Sequence, residues 1–210
     1  DIYLCFESFI KKYLNSTFND EEFGSLQCIF RLFRLLLQYH DPELSVFLDT
    51  HEIMPELFAS AWFMTIHANK CDKLTLLHAW DHILLYTNDE FDSDYIIPNN
   101  DINSNIGDVF HYFIDFELLK SHRTEIMKKS SEELPQFLVN LVIEDRDHCR
   151  RLIKEAKKTA LQTPLSYHEL LYKYSQNQIK VDSREYLECE QLPCIPIYPK
   201  ELIGYIYNET

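Results

Sequence analysis

Two pairs of side chains in this 210-residue sequence have types and spacings that could bind a metal ion. His78 and His82 lie four residues apart in a segment with helical periodicity, and this spacing can place two imidazoles on one ion. A zinc protease would need Glu directly after the first His, but the sequence there reads HAWDH. Cys189 and Cys194 lack the second Cys or His pair that a structural zinc site needs. We therefore predict no metal site, and a packing or surface role for both histidines.

Other catalytic arrangements are missing from the sequence. With 3 Gly, it contains no phosphate-binding loop of the G-x-x-x-x-G-K-[ST] or G-x-G-x-x-G type, and no G-x-S-x-G elbow. A nucleophile at Cys189 or Cys194 would need a neighbouring base, and His168 is distant in the sequence. Arg31 and Arg34 lie among Phe and Leu within a predicted helix, where an arginine more often extends to the surface than over a bound nucleotide. We predict no catalytic residue and no cofactor.

A basic stripe lies on a predicted helix that covers about residues 146–161. Its members, which share one face, are Arg150, Lys154, Lys157 and Lys158. A solvated helix face is the simplest interpretation of such a stripe. The alternative is a docking patch for an acidic partner or a lipid head group.

Helical periodicity dominates the segments that would position these residues. Apolar side chains recur at three- and four-residue steps, and no segment alternates with a period of two between hairpin turns. The predicted helices cover residues 2–13, 26–39, 42–50, 55–66, 74–85, 109–128, 146–161 and 166–175, and a further helix start is predicted at residues 131–133. Within the fifth of these, the pattern directs five residues to the core: Leu74, Leu77, Trp80, Leu84 and Leu85. The sequence therefore predicts an all-α fold.

Composition restricts the class of protein. Hydrophobic residues make up 46% of the chain, including 14 Phe and 13 Tyr, which is enough for a core and excludes a disordered chain. The formal net charge of -14 disfavours binding to nucleic acid or to anionic lipid. The 6 cysteines form no compact disulfide framework, and neither a leader nor an apolar run long enough to span a bilayer is present. These features predict a cytoplasmic protein without a transmembrane segment.

Two stretches depart from the helical pattern. Residues 88–108 contain six acids and no Lys or Arg, which predicts a surface loop. Pro164 ends the main helical region, and residues 165–210 read as one helix followed by an extended or irregular segment. We expect a helical domain over residues 1–164 and an extension over 165–210. Because the sequence begins at Asp1 within a helical pattern, we also expect it to be a piece of a longer protein.

Several linked motifs resemble the TBC domain, the all-helical module of Rab GTPase-activating proteins. A D-P-x-L turn after a leucine-rich helix, an I-x-P-x-L-F stretch, a W-F pair and a W-D pair occur in the family's order and spacing, with Ala79 where Leu is common. The signature residues are Asp41, Pro42, Pro55, Trp62, Trp80 and Asp81. From their chemistry, Asp41 and Pro42 start a helix, the tryptophans anchor packing, and Asp81 caps or pairs with a backbone N–H.

The resemblance also implies what this chain lacks. Active family members supply an arginine from an I-x-x-D-x-x-R motif and a glutamine from a Y-x-Q motif, and both motifs precede the part of the domain that this sequence resembles. The nearest substitutes, residues 143–150 (IEDRDHCR) and 174–176 (YSQ), do not fit in pattern or in position. Residues 25–50 are most similar to TBC proteins that carry a downstream rhodanese module, and the tail CIPIYPKELIGYIYNET is similar to the lead-in to that module.

The resemblance therefore implies the C-terminal portion of a TBC domain over residues 1–164, with 165–210 leading toward a rhodanese module. It implies a Rab-type GTPase or a larger protein assembly as the partner, in the cytoplasm or peripherally on endomembranes. We expect binding or scaffolding without catalysis, with unknown contact residues. One alternative is an active GTPase-activating protein whose catalytic half lies upstream of Asp1. Another is a helical packing module with no link to GTPases.

Overall fold

The computed structural model describes residues 2–14, 23–85 and 109–175, and the regular structure in these ranges is entirely α-helical. The predicted all-α fold is confirmed. The helices in these ranges are α1 (Ile2–Tyr13), α2 (Gly24–His40), α3 (Pro42–Thr50), α4 (Pro55–Thr65), α5 (Lys73–Leu85), α6 (His111–Ser121), α7 (Arg123–Ile126), α8 (Leu134–Val139), α9 (Arg146–Gln162) and α10 (Leu165–Ser175). The acidic stretch predicted as a loop and the extension beyond residue 175 lie outside the described residues.

Helix α6 is the centre of the packing. Every residue from His111 to Leu119 is buried, and α6 packs most extensively against α9, with further contacts to α2, α4 and α7. A helix that is apolar around most of its circumference must be covered on all sides. Helices α2 and α10 pack together, and the Tyr167 hydroxyl donates a hydrogen bond to the Leu32 carbonyl oxygen at 2.9 Å. Residues 111–119 therefore form the centre of the core, and the neighbouring helices pack around them.

Aromatic side chains fill the space between α2, α4 and α6. The ring of Phe63 stacks on Phe30 at 5.2 Å and meets the edges of Phe33 and Tyr112 at 5.2 and 4.9 Å. These centroid distances are typical of favourable aromatic pairs, which add to the energy of burial. The large aromatic residues of α4 therefore join α2 to the central helix.

Local chemistry sets the start of two helices. Oδ1 of Asp41 accepts a hydrogen bond from the Leu44 N–H at 3.0 Å, and Pro42 occupies the first position of α3. Asp145 starts α9 in the same way, because its side chain accepts from the His148 N–H at 2.7 Å. Each aspartate satisfies a backbone donor that has no partner inside its helix. The predicted helix start at residues 41–42 is confirmed.

The prediction of one continuous helix over 109–128 is wrong. Helix α6 ends at Ser121, and α7 begins at Arg123. The Ser121 hydroxyl and the His122 Nδ1–H both donate to the Leu118 carbonyl oxygen, at 2.8 and 3.0 Å. Side chains that bond the last carbonyl groups of a helix compete with its continuation. The break turns α7 toward the start of α3.

The predicted inward face of α5 is wrong at three leucines, although Trp80 does pack against the core. The side chains of Leu74, Leu77 and Leu84 are 65%, 47% and 48% exposed, while Thr75, Ala79 and Ile83 are buried. Since this helix is apolar around much of its circumference, periodicity alone could not select the buried face. The Thr75 hydroxyl can be buried because it donates to the Asp72 carboxylate. Among the described residues, no helix is long and apolar enough to cross a bilayer.

Candidate functional site

The connection between α4 and α5 contains a strained turn. Ile66 and His67 have positive φ angles of 45° and 63°. The left-handed region is rarely occupied by a non-glycine residue, and for a β-branched residue it is an outlier that persists only when surrounding contacts hold it. One such contact comes from Trp80, whose indole N–H donates to the Ile66 carbonyl oxygen at 2.9 Å. The hydrogen bond from Trp80 therefore connects this turn to α5.

The same turn is held on its inner side by a buried pair of polar side chains, His67 and Asp115. His67 Nε2 lies 2.5 Å from Asp115 Oδ1 on α6, and the two side chains are 1% and 0% exposed. Burial raises the pKa of the Asp115 carboxyl, and the nearby His67 partly opposes this shift. The ring of Trp62 stacks on His67 with a centroid distance of 6.4 Å. Since the pair is closed off from solvent, its chemistry is to position the turn and not to act on a substrate.

Sequence reasoning missed this pair, although α6 carries a signal for it. Asp115 is an acid within the apolar run VFHYFIDFELL, and His111 stands four residues before it on the same face. His111 is fully buried as well, and burial lowers its pKa to about 3, so it is neutral at physiological pH. An acid and a histidine on the buried side of a core helix indicate a buried polar partner. The identity of that partner, His67, depends on tertiary packing.

A second polar cluster joins α7 to the start of α3. Nε of Arg123 donates to Asp41 Oδ2 at 2.8 Å, and the same guanidinium pairs with Glu43. The hydrogen bonds that Arg123 donates to these two carboxylates raise its pKa. Asp41 therefore caps α3 with one carboxylate oxygen and binds Arg123 with the other. These ion pairs connect the start of α3 to α7, which directly follows the break after α6.

The six residues of the family signature have separate structural positions. Pro42 and Pro55 occupy the first turns of α3 and α4, and Trp62 is fully buried. The two tryptophans converge on the turn at residues 66–67. The expected cap by Asp81 is wrong, because Asp81 is exposed in the middle of α5, where the backbone N–H groups are already bonded within the helix. These placements describe packing and capping, and the use of the six as a signature stays a prediction.

One of the two arginines expected at the surface of α2, Arg34, is held by an ion pair with α3. Arg34 binds Asp49 of α3 through two contacts, from Nε to Oδ1 at 3.0 Å and from Nη2 to Oδ2 at 2.8 Å. Its side chain is 18% exposed, so the expectation that Arg34 extends to the surface is wrong. A bidentate pair of this kind fixes the orientation of both side chains. Arg34 is therefore part of the α2–α3 packing.

The two histidines of α5 are in ring contact with each other. The rings of His78 and His82 lie edge to face with centroids 4.8 Å apart. Within residues 2–14, 23–85 and 109–175, no group of three His, Cys, Asp or Glu side chains is placed to hold a metal. Burial lowers the pKa of His78, and the charges of Arg146 and Arg150 act in the same direction. The second candidate pair, Cys189 and Cys194, lies outside the described residues.

Helices α6, α7 and α9 enclose an open groove of about 490 Å³. Its charged and imidazole side chains are Glu117, Lys120, His122, Glu125, Glu144, His148, Arg151 and Glu155. The nearly buried carboxylate of Glu117 accepts a hydrogen bond from Thr159 at 2.5 Å and an ion pair from Lys120 at 3.2 Å. The charge at the floor of this groove is thus compensated within the protein.

An apolar surface remains on α1 and the adjoining face of α5. Phe9 contacts Trp80 with a centroid distance of 4.8 Å, and Tyr13 is buried. The first turns of α1 are open, and Ile2 is 91% exposed. Further apolar side chains with exposures between 47% and 74% are Tyr3, Leu4, Phe6, Leu77 and Leu84. An apolar patch of this kind marks an interaction surface more often than a plain solvent face.

Comparison with known proteins identifies the family to which this helical domain is similar. The family model of the Rab-GTPase-TBC domain matches residues 1–127, which is more than half of the chain. The chain is 34% identical over 83 residues to a TBC domain-containing protein kinase-like protein of Gallus gallus, and equally to that of Homo sapiens. It is 37% identical over 81 residues to the protein of the same description from Dictyostelium discoideum.

These relatives are much longer than the matched region. The alignments cover 40% of this chain and 9% of the chicken and human proteins, and 38% of this chain and 8% of the Dictyostelium protein. The all-helical structure of the described residues is consistent with the family match over residues 1–127. The chain belongs to the Rab-GTPase-TBC domain family.

Proposed function

We propose that this chain is the C-terminal portion of a Rab-regulating TBC domain that binds a GTPase, or a larger membrane-traffic assembly, without catalysing GTP hydrolysis. Domains of this family act on Rab GTPases in general. The observation that carries the proposal is the family match over residues 1–127, a stretch that contains neither an I-x-x-D-x-x-R nor a Y-x-Q motif. Without an arginine to stabilise the transferring phosphoryl group and a glutamine to orient water, binding would not accelerate hydrolysis.

The exposed apolar surface of α1 and α5 supports the first part of this proposal. A TBC domain portion that packs against further protein would leave such a surface on its first helix. The side chains of Ile2, Leu4 and Phe6 are 91%, 60% and 60% exposed, whereas Phe9 and Tyr13 at the other end of α1 contact the rest of the fold. We infer that the first two turns of α1 pack on protein outside residues 1–210.

A Rab panel tests the absence of catalysis. The chain would be added to purified Rab GTPases loaded with GTP, with binding measured by interferometry and hydrolysis by phosphate release. We expect binding to one or more Rabs with no change in hydrolysis rate. Stimulation of hydrolysis by orders of magnitude would overturn the proposal, because a catalytic pair typically contributes at that level. Absence of binding to every Rab would favour the module with no GTPase link.

The alternative is that the chain forms part of an active Rab GTPase-activating protein with its catalytic half upstream of Asp1. The family match favours it as much as it favours binding, since TBC domains in general regulate Rab GTPases. The discriminating experiment is the same hydrolysis assay on the longest natural protein that contains this sequence. Rapid hydrolysis that disappears when an upstream arginine or glutamine is replaced by alanine would establish the alternative.

We also propose that residues 165–210 lead toward a downstream rhodanese module, and that the protein is cytoplasmic and peripheral on endomembranes. The support is the resemblance of residues 25–50 and of the tail to rhodanese-bearing TBC proteins. The sequence after Thr210 tests the first statement, since a rhodanese module there would confirm it. Imaging of a fluorescent fusion tests the second, and a nuclear or extracellular signal would contradict it.

A further inference from the structure

Helix α9 exposes three cations in a row. Arg146, Arg150 and Lys154 follow one another at four-residue steps and are all exposed, whereas Cys149 and Ile153 on the adjoining side are buried. Residues at this spacing share a helix face and lie about 6 Å apart along the axis. We refer to these three residues as the basic edge. It includes two residues of the stripe predicted from sequence and adds Arg146.

The basic edge lies along the contact between α9 and α5. The two helices pack together, and the backbone N–H of Ile143, just before α9, donates to the Lys70 carbonyl oxygen, just before α5, at 3.1 Å. Burial lowers the pKa of His78 on α5, the charges of Arg146 and Arg150 lower it further, and Asp81 opposes them. Two of the three cations therefore face the same side as α5, where a partner could contact both helices.

The cations of the basic edge are only partly compensated by the protein. Arg150 pairs with Asp147 at 3.1 Å, and both side chains are more than half exposed. In the parts of the chain that the structure describes, neither Arg146 nor Lys154 forms an ion pair. Arg146 acts only at longer range on Asp72, whose oxygens already accept hydrogen bonds at the start of α5. Lys154 acts on Glu155, which is paired with Lys158. An exposed pair such as Arg150–Asp147 contributes little and can be exchanged for an external carboxylate.

The charge of the whole chain selects the kind of partner. A formal net charge of -14 repels an extended polyanion such as an anionic bilayer or a nucleic acid duplex. A short acidic segment instead feels mainly the charges within a Debye length, about 8 Å at physiological salt. Its carboxylates can also match the edge in spacing, since acids at every fourth position of a helix repeat at about 6 Å. Charge complementarity therefore favours a short acidic protein segment over a membrane surface.

We propose that the basic edge of α9 docks an acidic helical segment of a partner protein, with carboxylates placed at four-residue steps against Arg146, Arg150 and Lys154. This inference goes beyond Rab binding and does not depend on it. Arg146 and Lys154 supply charges that form no close ion pair in the described residues, and Arg150 exchanges its exposed pair with Asp147 for the partner's carboxylate. Binding of this kind weakens steeply as salt is raised, because it depends on exposed charges.

A labelled peptide tests the proposal on the full chain. The probe is a short alanine-based helical peptide with Glu at three successive four-residue steps, and its partner probe carries Gln at the same positions. We expect the Glu peptide to bind in fluorescence anisotropy and the Gln peptide not to bind. The double variant R146Q/K154Q should weaken binding about tenfold or more, as expected for the loss of two charged contacts. A carbodiimide should cross-link the Glu peptide to Lys154 in the unaltered chain.

A matched control separates the edge from overall charge. The variant R151Q/K128Q removes the same number of charges, also from exposed positions, and should change the affinity less than about twofold. Equal loss in both variants, or failure of the Glu peptide to bind, would overturn the proposal. Co-sedimentation with phosphatidylserine vesicles, lost in R146Q/K154Q while the peptide does not bind, would assign the edge to a membrane instead. Since both edge positions are exposed, circular dichroism should confirm that the variant is folded.

Discussion

The core around α6 and the surface formed by α1 and α5 are built from similar side chains and differ in what covers them. In the core, Trp62 and Phe63 are fully buried and His67 is paired with Asp115. On the surface, Leu77 and Ile2 remain 47% and 91% exposed. The difference shows that apolar periodicity identifies helices but not which of their faces the domain itself buries.

The largest effect is expected in the core, at Trp62. The substitution Trp62→Ala should lower the free energy of unfolding by about 3–5 kcal/mol, because it removes a fully buried indole and leaves a cavity. Urea denaturation followed by circular dichroism measures this loss. If Trp62→Ala costs no more than a surface substitution such as Leu77→Ala, the contrast between the two regions is wrong.

The core should also be sensitive to acid. Burial lowers the pKa of His168 to about 4, against an ordinary value near 6.5, and His40 and His111 shift in the same direction. Above pH 6.5 the folded and unfolded chains are both neutral at His168. As the pH falls from 6.5 toward 4, the unfolded chain takes up a proton that the folded chain does not, so stability is lost.

The loss attributable to His168 is at most about 3 kcal/mol over this interval. Denaturation series between pH 7 and pH 4 measure it, and the variant His168→Leu should show a shallower decline than the unaltered protein. An identical slope in both proteins would mean that His168 accepts a proton in the folded state.

The buried pair of His67 and Asp115 should behave as a unit. Replacing Asp115 alone by Leu should cost about 2–3 kcal/mol, because it leaves a buried imidazole without its partner. The double variant His67→Leu/Asp115→Leu should cost less than the sum of the two single variants, as a double-mutant cycle would show. Strict additivity would show that the two side chains do not interact in solution.

At the boundary between the regions, Trp80→Phe should have a smaller effect. It keeps an aromatic ring against Phe9 but removes the hydrogen bond to the Ile66 carbonyl oxygen, so we expect a loss of about 1 kcal/mol. Amide hydrogen exchange should rise first at residues 66–70. Unchanged exchange in this turn would show that the indole N–H is not what holds it.

The smallest effect is expected on the exposed surface. The variants Leu77→Gln and Leu84→Gln should change the free energy of unfolding of this chain by about 0.5 kcal/mol or less. In the longest natural protein, the same variants should cost more if α5 packs against additional protein there. Comparison of the two denaturation experiments would therefore sharpen the assignment of this surface.

How much the sequence predicts depends on whether the interaction is local. The cap by Asp41 and the burial of Trp62 could be predicted, because capping acts over three residues and a tryptophan in a strongly apolar helix is seldom exposed. The buried face of α5 could not be predicted, because this helix carries apolar side chains on several sides. The pairing of Asp115 with His67 joins residues 48 positions apart, and only the tertiary arrangement defines it.

The turn at Ile66 and His67 also gives the protein a natural optical probe. The chain contains 2 Trp, and both contact this turn, Trp62 through the His67 ring and Trp80 through the Ile66 carbonyl. Intrinsic fluorescence excited at the indole band therefore reports on one small part of the molecule. Any partner that shifts this emission on binding has altered the environment of the α4–α5 connection, without any dye being attached.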